Sequence, residues 1–186
     1  EKVHQKLDIY LPRGGEEPLI SGSQPLVLFV HGGSWASGDK WHYALQARRL
    51  RREGVVVANV GYGLYPSQTF DGMCDDVNAA LDFATGGAAS EHGVDASKVV
   101  LCAHSAGAHV SALAVLRRAE RAAEWARSGG DAGSASCDMP AKMVLASGVY
   151  DIPRHYLHEK SRGVHLISPM HIAAGSTVEA MNGNSP

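Results

Sequence analysis

Two short stretches of this sequence carry groups that could do chemistry. Ser105 lies in Ala103-His104-Ser105-Ala106-Gly107, directly after the apolar run Val99-Val100-Leu101-Cys102. His31-Gly32-Gly33-Ser34-Trp35 follows a second apolar run, Pro25 to Val30. A serine on a tight turn between a strand and a helix exposes its hydroxyl at the edge of a sheet, and small residues two positions before and after it let strand and helix approach closely. The first amides and the dipole of the following helix favour the negative charge that develops during acyl transfer. Gly32 and Gly33 allow a second piece of backbone to fold against the same carbonyl, so that their N–H groups and that of Ala106 can hold an oxyanion. Ser105 is the candidate nucleophile, and Gly32, Gly33 and Ala106 are the candidate oxyanion-hole residues.

Each motif alone has a plainer reading, because serine is a favoured helix cap and a His-Gly-Gly turn is common. Together, each directly after a buried-type strand and roughly seventy residues apart, they fit acyl-transfer chemistry far better than chance turns.

The elements that must position these turns alternate along the chain. A strand is expected over Val3 to Leu11, a polar stretch over Pro12 to Gln24, and a strand buried on both faces over Pro25 to Val30. Asp39 to Glu53 reads as a helix with Asp39 as its cap, Leu45 and Leu50 on its buried side and Gly54 past its end. A second buried strand, Val55 to Val60, precedes a helix over Phe70 to Phe83, with Val77, Leu81 and Ala84 on one face and Gly86-Gly87 ending it. The strand Val99 to Ala103 leads through Ser105 into a long helix reaching about Arg127. The stretch from Ser128 to Ser136 is expected as a flexible loop, and Lys142 to Ser147 as another strand. The expected fold class is α/β, with a mostly parallel central sheet and helices on both faces.

Composition sets the frame. A chain of 186 residues, 45% hydrophobic, favours one domain. A net charge of −2, with scattered Lys and Arg, argues against a nucleic-acid surface. Cys74, Cys102 and Cys137 have no paired spacing, and the ten histidines show no HExxH, so neither a disulfide framework nor a metal site is expected. The longest apolar runs fall far short of the ~20 residues of a membrane helix. The tail from Met181 to Pro186 offers no apolar run to close a core, and the chain reads as clipped at both ends.

The segments "HGGSWASGDKW", "GMCDDVNAALDF", "HSAGAHVSALAVL" and "SGVYDI" resemble α/β-hydrolase fold esterases of the hormone-sensitive-lipase-like group, most closely the isoprenylcysteine methylesterase branch with its kynurenine-formamidase-like relatives. The resemblance runs from about Val3 to the end. It implies Ser105 as the nucleophile, amides of Gly32, Gly33 and Ala106 as the oxyanion hole, and His31 as a residue that orders its loop. It also implies a single partial α/β-hydrolase domain over 1–186, with about 151–186 starting a cap or connecting region and the sheet truncated before its last strands. The acid and histidine of the triad follow the serine in such sheets, after two further strands, and are expected to lie outside this chain. Ala103 departs from the elbow's first glycine, and Gly61 and Gly63 stand where relatives tend to carry an acid and an arginine.

The resemblance implies a serine carboxylesterase acting on small or prenylated esters, with arylformamidase activity or a triad-less, ligand-binding product as alternatives. No cofactor is implied. The implied partner is a small-molecule ester, with any membrane association arising through segments missing from the chain. The implied location is cytoplasmic or a cytosol-facing endomembrane of the endoplasmic reticulum or Golgi.

Other features read as structure. His104 and His109 flank the elbow but lie on or beside its helix, where neither is expected to act as base. A makeshift pair of Asp151 with His155, His158, His165 or His171 is disfavoured. Trp35 and Trp41 are expected to pack the loop and first helix, Asp75 and Asp76 to be solvated or capping, and Cys102 to be an inert core thiol.

Overall fold

Apolar runs without alternation suit strands buried on both faces, and each is a strand in the computed structural model, which describes residues 6–12, 24–86, 88–130 and 139–186. Strands β1 (Lys6–Tyr10), β2 (Gln24–Val30), β3 (Val56–Gly61), β4 (Val94–His104) and β5 (Lys142–Ala146) form one sheet in the order β1-β3-β2-β4-β5. β1 runs antiparallel to β3, and the other pairings are parallel. The start of the first expected strand at Val3, most of the polar stretch after Pro12, Gly87 and the centre of the loop before β5 lie outside the described residues.

Helices cover both faces, as expected. α2 (Phe70–Thr85) and α3 (Ala106–Arg127) pack on the face formed by Leu26, Leu28, Val30, Val56, Ala58, Val60, Leu101 and Ala103, contributing Phe70, Met73, Val77, Leu81, Val110 and Leu113 to the core. On the opposite face lies α1 (Ala44–Leu50) with the 3-10 turn Lys40–Tyr43 before it. There the Phe29 and Tyr43 rings meet at 4.6 Å, and the buried Asn59 donates from Nδ2 to the Lys40 carbonyl at 3.0 Å.

Several expectations need correction. Asp39 does cap, within a capping box that includes His42, but the turn it starts is a 3-10 turn. At three residues per turn, that turn rotates the α-helix behind it relative to a continuous 3.6-residue helix. Ala47 therefore becomes the buried residue, while Leu45 is 78% exposed. Trp41 also lies at the surface, against the ring of His42 rather than in the core.

Asp75 is exposed, but Asp76 is 3% exposed and its Oδ2 accepts the Gly63 N–H at 2.8 Å. The inward carboxylate thereby fixes the loop after β3. β4 begins earlier than expected because Val94 pairs with Gln24 across a register shift. Residues after Tyr150 add no strand; they form α4 (Ile152–Ser161), α5 (Met170–Ala173) and α6 (Val178–Gly183). The tail nevertheless closes core, because Ile152, Met170, Ala173, Ala174 and Met181 are isolated apolar residues that all turn inward.

Candidate active site

The carboxyl ends of parallel strands are where open α/β sheets place ligands, and both motifs arrive there. Ser105 is the residue between β4 and α3, at φ 52 and ψ −121. That conformation is costly for a residue with a Cβ. Its N–H continues the ladder to β5 through the Ala146 carbonyl at 2.8 Å, and its carbonyl accepts from His109 N at 3.1 Å to start the helix. The Ser105 hydroxyl makes no capping bond to α3. The turn thus spends backbone strain on presenting a hydroxyl that the helix does not use. Ala106 is the first helical residue, so its amide is among those that have no partner within the helix.

Close approach explains the small residues around it. A Cβ on Gly107 would lie 2.3 Å from the His31 carbonyl oxygen and 2.5 Å from that of Val30, so α3 rests directly on the end of β2. A Cβ on Gly32 would lie 3.0 Å from Ser105 Cβ, which places this glycine in contact with the elbow. Gly33 adopts φ 137, and its carbonyl accepts from Ser37 N and Ser37 Oγ at 2.9 and 2.8 Å. The loop therefore turns back on itself immediately after passing the serine.

Buried rings hold this loop. His31 is 2% exposed, stacks on Tyr62 and has Nδ1 2.8 Å from the Gly32 carbonyl, so Nδ1 carries the proton and donates it. Tyr62 Oη donates to the His31 carbonyl at 2.9 Å. Burial lowers the pKa of His31 and raises that of Tyr62. Ser34 and Trp35 both adopt positive φ, at 51 and 60. The Trp35 ring is buried against Phe70 and His109, and its backbone carbonyl accepts from Tyr65 N at 2.8 Å.

The role of His109 was not legible in the sequence beyond its exclusion as a base. It is fully buried, accepts from Trp35 Nε1 through Nδ1 at 3.1 Å, and lies 2.8 Å from the Asn184 carbonyl through Nε2. Indole nitrogen only donates, so the proton of His109 sits on Nε2 and is given to Asn184. One imidazole thereby joins the His-Gly-Gly loop, α3 and the residue after α6. The available signal was that a buried tryptophan N–H needs an acceptor.

Desolvation holds the His109 pKa at about 4, against 6.5 for a free histidine. The unfolded chain therefore binds a proton at His109 at a pH where the native state does not, and stability is lost as pH falls from above 6.5 through about 4. The loss at that limit is roughly 3 kcal/mol. Buried His31 acts in the same direction. Urea unfolding at pH 7.5 and 4.5 is expected to show a smaller pH sensitivity in His109→Gln, which keeps an acceptor and a donor, with the His31 contribution remaining. Equal pH sensitivity in both proteins would contradict the assignment.

The remaining histidines are placed elsewhere. His104 is exposed, with Nδ1 3.4 Å from Tyr43 Oη. Asp151 caps α4 through the Arg154 N–H at 2.9 Å and pairs with none of the later histidines among the described residues. His155 instead faces Glu159 at 3.5 Å. Cys102 is half-buried rather than a core thiol, because it lines an open groove of about 350 Å³ with Phe29, Tyr43, His104 and Val144. Burial still raises its pKa. The described residues contain no group of His, Cys, Asp or Glu arranged to hold a metal ion.

The chain is similar to known hydrolases. The family model described as BD-FAE matches residues 7–177. A probable isoprenylcysteine alpha-carbonyl methylesterase of Oryza sativa subsp. japonica is 34% identical over 167 residues, covering 89% of this chain and 37% of that protein. A kynurenine formamidase of Danio rerio is 30% identical over 155 residues, covering 82% of this chain and 44% of that protein. Esterase B from Lactobacillus rhamnosis superposes with a TM-score of 0.75 at 21% identity, over 98% of this chain and 56% of that one, and shows the shared fold. The chain spans little more than a third of the methylesterase's length.

Proposed function

Because the chain belongs to the BD-FAE family, among the α/β-hydrolase esterases, we propose that it carries the nucleophile and oxyanion hole of a serine carboxylesterase. The observation that carries this reading is the strained Ser105 elbow, whose hydroxyl is free of the helix cap while Gly32 packs against it. In the proposed reaction, Ser105 Oγ attacks the ester carbonyl and gives its proton to a general base. The carbonyl oxygen becomes an oxyanion held by amides of Gly32, Gly33 and Ala106. The alkoxide then leaves with that proton, and water hydrolyses the acyl-enzyme. One such amide is worth about 3 kcal/mol of barrier. Neither neighbouring histidine fits the base: His109 is locked between Trp35 and Asn184, and His104 faces Tyr43.

The preferred substrate is a prenylated cysteine methyl ester, by analogy with the methylesterase relatives. A formamide is the second reading, supported by the kynurenine formamidases among the relatives and by the ability of the same oxyanion hole to accept either carbonyl. Turnover of a farnesylcysteine methyl ester and of N-formylkynurenine by the full-length protein separates them. The first reading expects kcat/KM to favour the methyl ester by about tenfold or more. The reverse preference would assign the formamide, and inactivity on both and on short acyl esters would contradict the esterase reading.

A further inference from the structure

We propose that His109 is a positioning residue for the oxyanion hole, acting through Trp35, a role that rests on the serine-esterase reading above. His109 is bonded to both halves of the site. Its backbone N–H donates to the Ser105 carbonyl at 3.1 Å, one turn into α3. Its Nδ1 accepts the Trp35 indole N–H at 3.1 Å, from the loop that carries Gly32 and Gly33. The first bond is part of the helix, whereas the second joins the nucleophile's helix to a loop 74 residues away.

That loop needs such a tether. Gly33, Ser34 and Trp35 have φ of 137, 51 and 60, three positive values in a row, two of them on residues with a Cβ. Backbone of this kind persists where the surrounding structure over-determines it. The Ser37 bonds to the Gly33 carbonyl close the loop on itself, and the Tyr65 N–H ties the Trp35 carbonyl to the segment after β3. Neither sets the loop against α3. The buried Trp35 ring does so, meeting Phe70 at 5.4 Å and the His109 ring edge-on at 88°. Ring contacts tolerate sliding and rotation, but the N–H···N bond gives the indole one direction. The Gly32 and Gly33 amides lie two and three residues before Trp35, so a turn of the indole moves them relative to Ser105.

The acceptor is prepared from the other side of the imidazole. The partner of one ring nitrogen fixes which nitrogen carries the proton. Here His109 Nε2 faces the Asn184 carbonyl at 2.8 Å. Asn184 is itself held, because its Nδ2 donates to the Ala174 and Ala180 carbonyls at 3.1 and 3.0 Å and its Oδ1 accepts from Arg117 at 3.0 Å. The proton therefore stays on Nε2, and Nδ1 is left as the acceptor that the indole requires.

Steady-state hydrolysis of a short acyl ester by the full-length protein tests this, with His109→Leu, His109→Gln, Trp35→Phe and the double variant His109→Leu/Trp35→Phe. His109→Leu and Trp35→Phe are each expected to lower kcat about 100-fold, the scale of a misplaced oxyanion donor, while KM stays within about threefold. Both remove the same bond, so the double variant should lose little more than the worse single one. His109→Gln keeps an acceptor and a donor and should hold kcat within about fivefold of the wild type. The Trp35 indole N–H proton resonance, assigned by its loss in Trp35→Phe, reads the bond itself. It is expected to move upfield in His109→Leu and to return in His109→Gln. Ser105-dependent hydrolysis with unchanged kcat in Trp35→Phe would overturn the proposal, whether or not His109→Leu folds. So would multiplicative losses in the double variant, or a loss in His109→Gln as large as in His109→Leu. These results would leave the nucleophile in place. Wild-type hydrolysis that is absent, or unaffected by Ser105→Ala, would instead overturn the esterase reading and the proposal with it.

Discussion

Ser105→Ala in the full-length protein is expected to lower kcat for ester hydrolysis by a factor of about 10⁴ or more, with substrate binding little changed. Removing a nucleophile disables the base and acid that act through it, so only oxyanion assistance and positioning remain. Stability should change by about 0.5 kcal/mol or less, because the hydroxyl makes no helix-capping bond and alanine meets the same positive φ as serine. Steady-state kinetics with a short acyl ester and a thermal melt of both proteins check the two halves together. A variant that unfolds would point to a structural serine, and one that retains activity would remove Ser105 from the mechanism.

Gly107→Ala should be the most destabilising single methyl addition in the elbow, at about 3 kcal/mol. The sign is informative. In a solvent-facing helix position, glycine to alanine stabilises by about 1 kcal/mol. Here the added carbon meets two carbonyl oxygens of the β2 terminus at 2.3 and 2.5 Å, and backbone cannot rotate away as a side chain can. α3 would have to lift from β2, carrying Ser105 away from the Gly32 loop. Chemical denaturation gives the answer directly, and a stabilised variant would show that strand and helix do not approach so closely.

How far the sequence exposed this arrangement depended on the kind of signal. Runs such as Leu26 to Val30 and Val56 to Val60 have one physical meaning when flanked by helical periodicity, and the parallel core followed from them. The contact between the two turns was legible because only glycine or another small residue fits at positions 32 and 107. Relationships that cross the fold were not legible. Asp76 looked like half of a solvated pair until the Gly63 amide appeared opposite it. His109 could be excluded as a base from its place on α3, but its bonds to Trp35 and Asn184 join residues 74 and 75 positions away. Leu45 misled because helix phase was counted from Asp39 through a segment that starts as a 3-10 turn. The tail misled because its core contacts come from isolated residues such as Met170 and Met181, which leave no apolar run.

The central claim, that Ser105 is an acyl-accepting nucleophile facing an oxyanion hole, is tested most directly by covalent capture. The full-length protein would be treated with a fluorophosphonate, whose tetrahedral adduct places an oxygen where the oxyanion forms, and then mapped by peptide mass spectrometry. The account predicts a single adduct on Ser105, with ester hydrolysis lost in proportion to labelling. An adduct on another residue, such as Ser34 or Ser147, or hydrolysis that continues in the fully labelled protein, would contradict it.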